Sequence, residues 1–472
     1  MERTNVAWSA TPMSQQDVRA FLEDYRRRYP EDVLIIEEPV SRVQGVTALV
    51  MELEATGRRP ILVCTQVDGL ATTVVTNLFA SRERIARLLG TTVGSLHEAY
   101  VAASAAAVSP RLVDSGPALD VHEEGERVDL ARLPMLTHFA QDRGPYLTSA
   151  IVIVEGEEEG TGNASYHRAT VSSKTTLATS LHSRGHLWRH LAAARDRAKT
   201  LGVAVVIGGH PLFMLAAAAR VGMGIDERAI AGGLFGQPLE VVATPRFGIR
   251  VPASADIVLE GVIDPERNAE EGPFGEFSGY ATSRSTNNVI EVSSILRRHD
   301  PILVDVVSGN APDHLNLGRV PRESEMAMKL RERFPDVVRL EYPASGTHFH
   351  CYVAVRPGVP GMAKQIALAL LGWDPYLKLV VAVDDDVDVS RDEDVLWAIA
   401  TRFQADRDTF VVAGLPGSML DPSSEGGATS RLGIDATRAP GFDAERVTLS
   451  DAAMAEAHAI LAAQGIGLES RA

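Results

Sequence analysis

Glu270-Glu271-Gly272-Pro273-Phe274-Gly275-Glu276 is the stretch on which the reading turns. It follows shortly after Asp256-Ile257-Val258-Leu259-Glu260-Gly261, an apolar run with the length of a strand. Pro273, with Gly272 and Gly275 about it, makes a tight loop of fixed shape. Such a loop can hold Glu271 and Glu276 near one another. Two carboxylates sharing a partly buried site titrate apart, one serving as an acid while the other stays ionised. On spacing alone a solvated acidic loop reads equally well, but Phe274 and the prolyl turn argue for a packed one.

Upstream lies Gly160-Thr161-Gly162-Asn163-Ala164-Ser165-Tyr166-His167-Arg168. A glycine-rich turn feeding a strand lets backbone amides approach an anion. Asn163 offers a neutral oxygen ligand and Arg168 a cation that does not deprotonate. A hairpin turn with a surface arginine is the plainer alternative. In His182-Ser183-Arg184-Gly185-His186-Leu187-Trp188-Arg189-His190, His186 and His190 share a helical face. They lack the glutamate of a zinc-hydrolase motif and read equally as surface or hydrogen-bonded histidines.

The surrounding chain is α/β in pattern. Its 472 residues suit about two to four domains, with 45% hydrophobic and 23% charged residues, which is globular rather than disordered. An opening helix, capped at Ser14, places Val18, Phe21, Leu22 and Tyr25 on one face. Strands are predicted at 33–36 and 61–67 with a helix at 46–53 between them, and 102–129 reads as a linker. From 144 to 305 short β segments dominate, at 147–155, 168–173, 203–207, 257–263 and 289–296, interrupted by a helix at 186–199. From 317 the alternation returns: helices at 323–334, 361–371 and 394–403, and strands at 348–355 and 377–383. After Leu415 the chain reads as a Gly-, Pro- and Ser-rich tail until a helix at about 451–463. The expected division is 1–115, an N-terminal α/β domain; 116–315, a β-barrel-like domain; and 316–472, a C-terminal α/β domain.

A formal net charge of −16 argues against nucleic-acid or anionic-membrane partners. Cys64 and Cys351 make neither a disulfide framework nor a cysteine zinc site. The first residues hold no apolar signal core, and no apolar run approaches the roughly 18 residues of a membrane span. A cytoplasmic protein is expected.

Taken together these fragments resemble the UbiD-type decarboxylases, which use prenylated FMN. The resemblance covers nearly the whole length. It includes Pro60-Ile61-Leu62-Val63 up to Gly69, Asn77-Leu78-Phe79, Val251-Pro252-Ala253, the 256–261 and 271–276 runs, and Asp394-Val395-Leu396-Trp397-Ala398. It implies a central split β-barrel-like flavin domain and a C-terminal domain that builds homodimers or higher homo-oligomers. It also implies a divalent metal, Mn2+ or Mg2+, at the flavin phosphate on Asn163, His186 and Glu227, with K+ as a further candidate ion. Oxygen donors with one imidazole suit those metals better than zinc. Asp226 and Glu240 are rivals for the carboxylate ligand. The catalytic trio falls on Arg168, Glu271 and Glu276, with Glu276 the proton donor, and Lys378 matches a lysine that reaches the cofactor phosphate.

The activity implied is reversible, non-oxidative decarboxylation of a small-molecule carboxylic acid by cycloaddition to the cofactor, which a flavin prenyltransferase supplies. Relatives shape the substrate pocket after the strand equivalent to 301–307. His314, Asn316 and Leu317 follow that segment here, and the polar pair favours a heteroaromatic acid over a cinnamate-like one. The alternatives are a flavin-free metal-dependent hydrolase and a catalytically silent flavin-binding homologue. The paired glutamates count against silence, and no G-x-S-x-G motif supports a hydrolase.

Overall fold

In the computed structural model, residues 15–68, 72–156, 161–181, 185–283 and 286–464 are described. Ser14, Gly69, Gly160 and 182–184 lie outside them, so the cap expected at Ser14 and parts of two motifs are not described. The opening helix, Val18–Arg28, is capped by Asp17, whose carboxylate accepts the Arg19 N–H at 2.8 Å. Val18, Leu22 and Tyr25 are its buried face.

The chain is a mixed α/β, multidomain fold. A four-stranded sheet pairs Val33–Ile36, Ile61–Cys64 and Val74–Thr76 with the distant Leu303–Val304. A nine-stranded sheet curls into the central half-barrel. Its spine is the antiparallel pair Ile257–Asn268 and Asn288–Arg297, flanked by Leu201–Ile207 and Ala150–Val154. Both faces are apolar, which suits strands covered on two sides. A five-stranded sheet forms the last layer, with His350–Val355, Leu379–Asp384 and Ala428–Ala436 parallel at its centre. Cys64 and Cys351 are free and buried in these cores. No helix of the described residues is long and apolar enough to cross a membrane.

Three expectations need correction. The stretch 102–129 is not a linker: Val121–Glu124 adds a strand to the nine-stranded sheet and Arg111–Leu112 pairs with Glu240–Ala243. The tail after Leu415 is not unstructured, since Ala428–Ala436 sits inside the last sheet beside Thr409–Pro416. The helix expected from 323 begins at Pro312 and runs to Arg333, with Pro321 inside it. Burial of most of its first three turns holds the helix through a proline that would break an exposed one.

Candidate functional site

The loop carrying Glu271 and Glu276 is packed, not solvated. Gly272 adopts φ +98°, a conformation open to glycine at little cost, and the Gly272–Pro273 peptide is cis. Residues 139–146 hold the loop in place. Asp142 accepts the N–H groups of Phe139 at 2.9 Å and Gly275 at 2.8 Å, and the Tyr146 hydroxyl accepts that of Gly272 at 3.1 Å. A Cβ on Gly275 would stand 2.5 Å from the Phe139 ring, so the close approach requires glycine.

Arg168, between the strands Asn163–Tyr166 and Ala169–Val171, reaches this loop. Its Nε and Nη2 donate to the two oxygens of Glu271 at 2.7 and 2.9 Å, a bidentate fork. Its Nη1 donates to Glu276, and its guanidinium carbon lies 4.6 Å from the centroid of the Phe274 ring. The Glu271 and Glu276 side chains are 0% and 6% exposed, so one arginine serves two carboxylates away from water. The three residues expected together are together.

Asn163 opens its strand, while His186 and Glu227 are each the first residue of a helix, His186–Asp196 and Glu227–Phe235. Glu227 is buried and accepts the N–H of Ala164, beside Asn163, at 2.8 Å. Burial raises its carboxyl to about 7, and among the described residues no arginine, lysine or histidine forms an ion pair with it. Asn163 turns Nδ2 to Ser165 at 2.9 Å, which leaves Oδ1 without a hydrogen bond among the described residues. Burial, then Arg189, lowers the His186 imidazole and favours its neutral form. A buried carboxylate wanting a cation, a free amide oxygen and a neutral imidazole fit a hard divalent ion. No three His, Cys, Asp or Glu side chains gather into a metal cluster among the described residues, and this set has two of those types plus an amide.

The rivals are otherwise engaged. Asp226 caps the second helix and pairs with Arg228 at 2.7 Å, and Glu240 pairs with Arg111 at 2.5 Å.

Lys378 precedes its strand rather than lying on it. It pairs with Asp421 at 2.8 Å, donates to Ser423 at 2.6 Å and lies 5.6 Å from the Phe349 ring centroid. His314 and Asn316 are on the long helix Pro312–Arg333. His314 Nδ1 bonds the Gly309 carbonyl at 2.8 Å, which puts its proton on Nδ1 and leaves Nε2 an acceptor. Burial first, then Arg168, keeps this imidazole below its ordinary value. Asn316 has partners of its own, donating to the Phe79 carbonyl at 2.8 Å and accepting from Arg319 at 2.6 Å. Leu317 belongs to the apolar core. Of the polar pair expected to favour a heteroaromatic acid, Asn316 is therefore paired within the protein.

Phe277, His348 and Tyr376 extend the site and were missed in the sequence. The Phe277 ring lies 4.8 Å from His348 and 5.7 Å from Tyr376, centroid to centroid. His348 and Tyr376 follow Phe277 by about 70 and 100 positions, and no local pattern joins the three. Only the adjacency of Phe277 to Glu276 was a signal.

Family models match the chain in three successive blocks. They are the 3-octaprenyl-4-hydroxybenzoate carboxy-lyase N-terminal domain at 26–104, the Rift-related domain at 111–311 and the C-terminal domain at 315–436. The chain belongs to the UbiD family of decarboxylases. It is 33% identical over 435 residues to the anhydromevalonate phosphate decarboxylase of Aeropyrum pernix, covering 90% of this chain and 94% of that one. The Methanosarcina mazei enzyme of the same name is 35% identical over 372 residues, covering 77% and 85%. Among solved structures, the UbiD-class enzyme HmfF from Pelotomaculum thermopropionicum, in complex with FMN, superposes with a TM-score of 0.86. It is 34% identical, with 92% of this chain and 97% of that one covered. Vanillic acid decarboxylase of Sedimentibacter hydroxybenzoicus gives a TM-score of 0.81 at 25% identity, covering 97% and 100%.

Proposed function

We propose that this chain is a prenylated-FMN-dependent decarboxylase of an aromatic or α,β-unsaturated acid in which Glu276 delivers the proton that replaces the carboxylate. The observation that carries the reading is the buried clasp of Arg168 on both Glu271 and Glu276. The family membership and the FMN-bound relative support the cofactor. Asn163, His186 and Glu227 would hold a manganese or magnesium ion at its phosphate, with Lys378 a further contact once it leaves Asp421. The bound cofactor supplies an electron sink for carboxylate loss.

The protein's part is positioning and proton transfer. Arg168 orients the substrate carboxylate and keeps the two glutamates in register. Glu271, gripped by two bonds, fixes the guanidinium. Glu276, held through a single guanidinium nitrogen, is the freer acid. Phe274 and Phe277, both buried, would shield the clasp from water.

For the substrate, the accepting Nε2 of His314 favours an acid with a ring N–H or a hydroxyl, such as a pyrrole carboxylate. A second reading, an unsaturated aliphatic acid bearing a phosphate, is favoured by the anhydromevalonate phosphate decarboxylases at 33% and 35% identity.

The test is Glu276→Gln, which keeps the shape and removes the acid. Substrate binding should persist while turnover falls about 10²-fold or more, the scale of a general acid. Wild-type turnover in this variant would assign the proton to another group.

A further inference from the structure

Behind Phe277 the site continues into a second group of cations that the decarboxylation itself does not use. Arg322, on the long helix, is 3% exposed, yet among the described residues its buried Nη2 has no hydrogen-bond partner. Its Nε pairs with Asp374 at 3.0 Å, and its guanidinium carbon lies 4.2 Å from the centroid of the Tyr376 ring. Arg220, in the loop before the helix Glu227–Phe235, lies over the same ring at 5.5 Å. Among the described residues Arg220 forms no hydrogen bond or ion pair. The residue is exposed to solvent, although protein surrounds its charged group on most sides.

His348, against Phe277, is buried and lies in the field of Arg322 and Arg220. Burial and those cations hold it neutral, and its Nδ1 has no hydrogen-bond partner among the described residues. The carboxylates facing the group are Asp374, already shared with the Tyr342 hydroxyl at 2.8 Å, and the half-buried Glu325.

Two guanidiniums on one ring repel each other, and a buried donor without a partner carries a desolvation cost. An anion seated between them relieves both. We propose that Arg220 and Arg322, over Tyr376, form a second anion subsite that binds a phosphate or carboxylate at the far end of the substrate. This rests on the decarboxylase reading and narrows it to acids with two anionic ends. Planar guanidiniums suit either anion, and aromatic backing orients them without competing for it.

The experiment compares matched acids on the cofactor-loaded enzyme: anhydromevalonate phosphate against its dephosphorylated form, and a heteroaromatic 2,5-dicarboxylate against its 2-monocarboxylate. Binding of inorganic phosphate to the same protein is measured in parallel by thermal shift. Wild type should favour one dianionic acid by about 10²-fold or more in kcat/KM, the pair that responds naming the anion. Arg220→Gln, which removes no internal partner, should cut that ratio at least tenfold, mainly through KM, and abolish the phosphate-dependent shift.

A ratio near one in wild type, or one unmoved in Arg220→Gln, overturns the subsite. Loss of FMN from Arg220→Gln with the ratio unchanged assigns the guanidinium to the cofactor phosphate and also overturns it. If no acid is turned over but the Arg220-dependent phosphate shift is present, the decarboxylase reading fails and the anion site stands.

Discussion

Replacing Arg168 by lysine isolates the fork from the charge. Arg168 makes two bonds to Glu271, at 2.7 and 2.9 Å, a third to Glu276, and packs 4.6 Å from the Phe274 ring centroid. An ammonium is a point charge and cannot span both oxygens of Glu271 while still reaching Glu276. At least one charge-assisted bond is lost, about 1.5–3 kcal/mol, together with the ring contact, about 0.5–1 kcal/mol. The sum, about 2–4 kcal/mol, corresponds to roughly 30- to 1,000-fold in kcat/KM at 1.36 kcal/mol per decade. The charge remains, so the fold should persist. Arg168→Met, by contrast, strands two buried carboxylates and should lower stability by about 3–5 kcal/mol. The assay is initial CO2 release by the cofactor-loaded enzyme, with urea midpoints for both variants. Activity of Arg168→Lys within threefold of wild type would refute the reasoning, because charge alone would then suffice.

Other outcomes follow from the same structure. Glu227→Gln should release FMN and raise the Mn2+ concentration needed for its retention at least tenfold, read by flavin absorbance after gel filtration; unchanged retention would remove Glu227 from the metal set. Gly275→Ala must displace the Phe139 ring and should lower stability by about 1–3 kcal/mol while impairing turnover, read by urea denaturation and CO2 release. His210, whose Nδ1 accepts the Leu212 N–H at 3.1 Å, is lowered by burial to about 3. The unfolded chain therefore binds the extra proton first, so stability is full above about pH 6.5 and falls as pH drops toward 3, by up to about 1.4 kcal/mol per unit. His210→Asn keeps the cap acceptor, and urea midpoints across pH 4–7 should show a flatter dependence; an unchanged slope would place the titration elsewhere.

The loop of paired glutamates was legible because glycine, proline and an aromatic residue within seven positions leave few conformations, and Arg168 followed from the family pattern. Long strands such as Ile257–Asn268 and Asn288–Arg297 announced themselves as apolar runs. What failed to show had physical reasons. Ala428–Ala436 gains its place from parallel pairing with Leu379–Asp384, a partner nearly fifty residues away, and not from its own composition. The start of the long helix was hidden by Pro312, Gly318 and Pro321, whose local preference packing overrides. Asn316 looked like a substrate contact, yet it clamps the Phe79 carbonyl and Arg319. Arg220 and Arg322 could not be joined in sequence, since only the fold brings both to Tyr376.

The most direct test of the central claim is to produce the chain with and without a flavin prenyltransferase and to measure bound flavin and CO2 release from a panel of aromatic and α,β-unsaturated acids. The account predicts flavin absorbance with a divalent metal in the coproduced protein. It also predicts turnover of at least one acid that is lost without the prenyltransferase and in Glu276→Gln. Flavin-free protein, or CO2 release that is indifferent to both the prenyltransferase and Glu276, would contradict it.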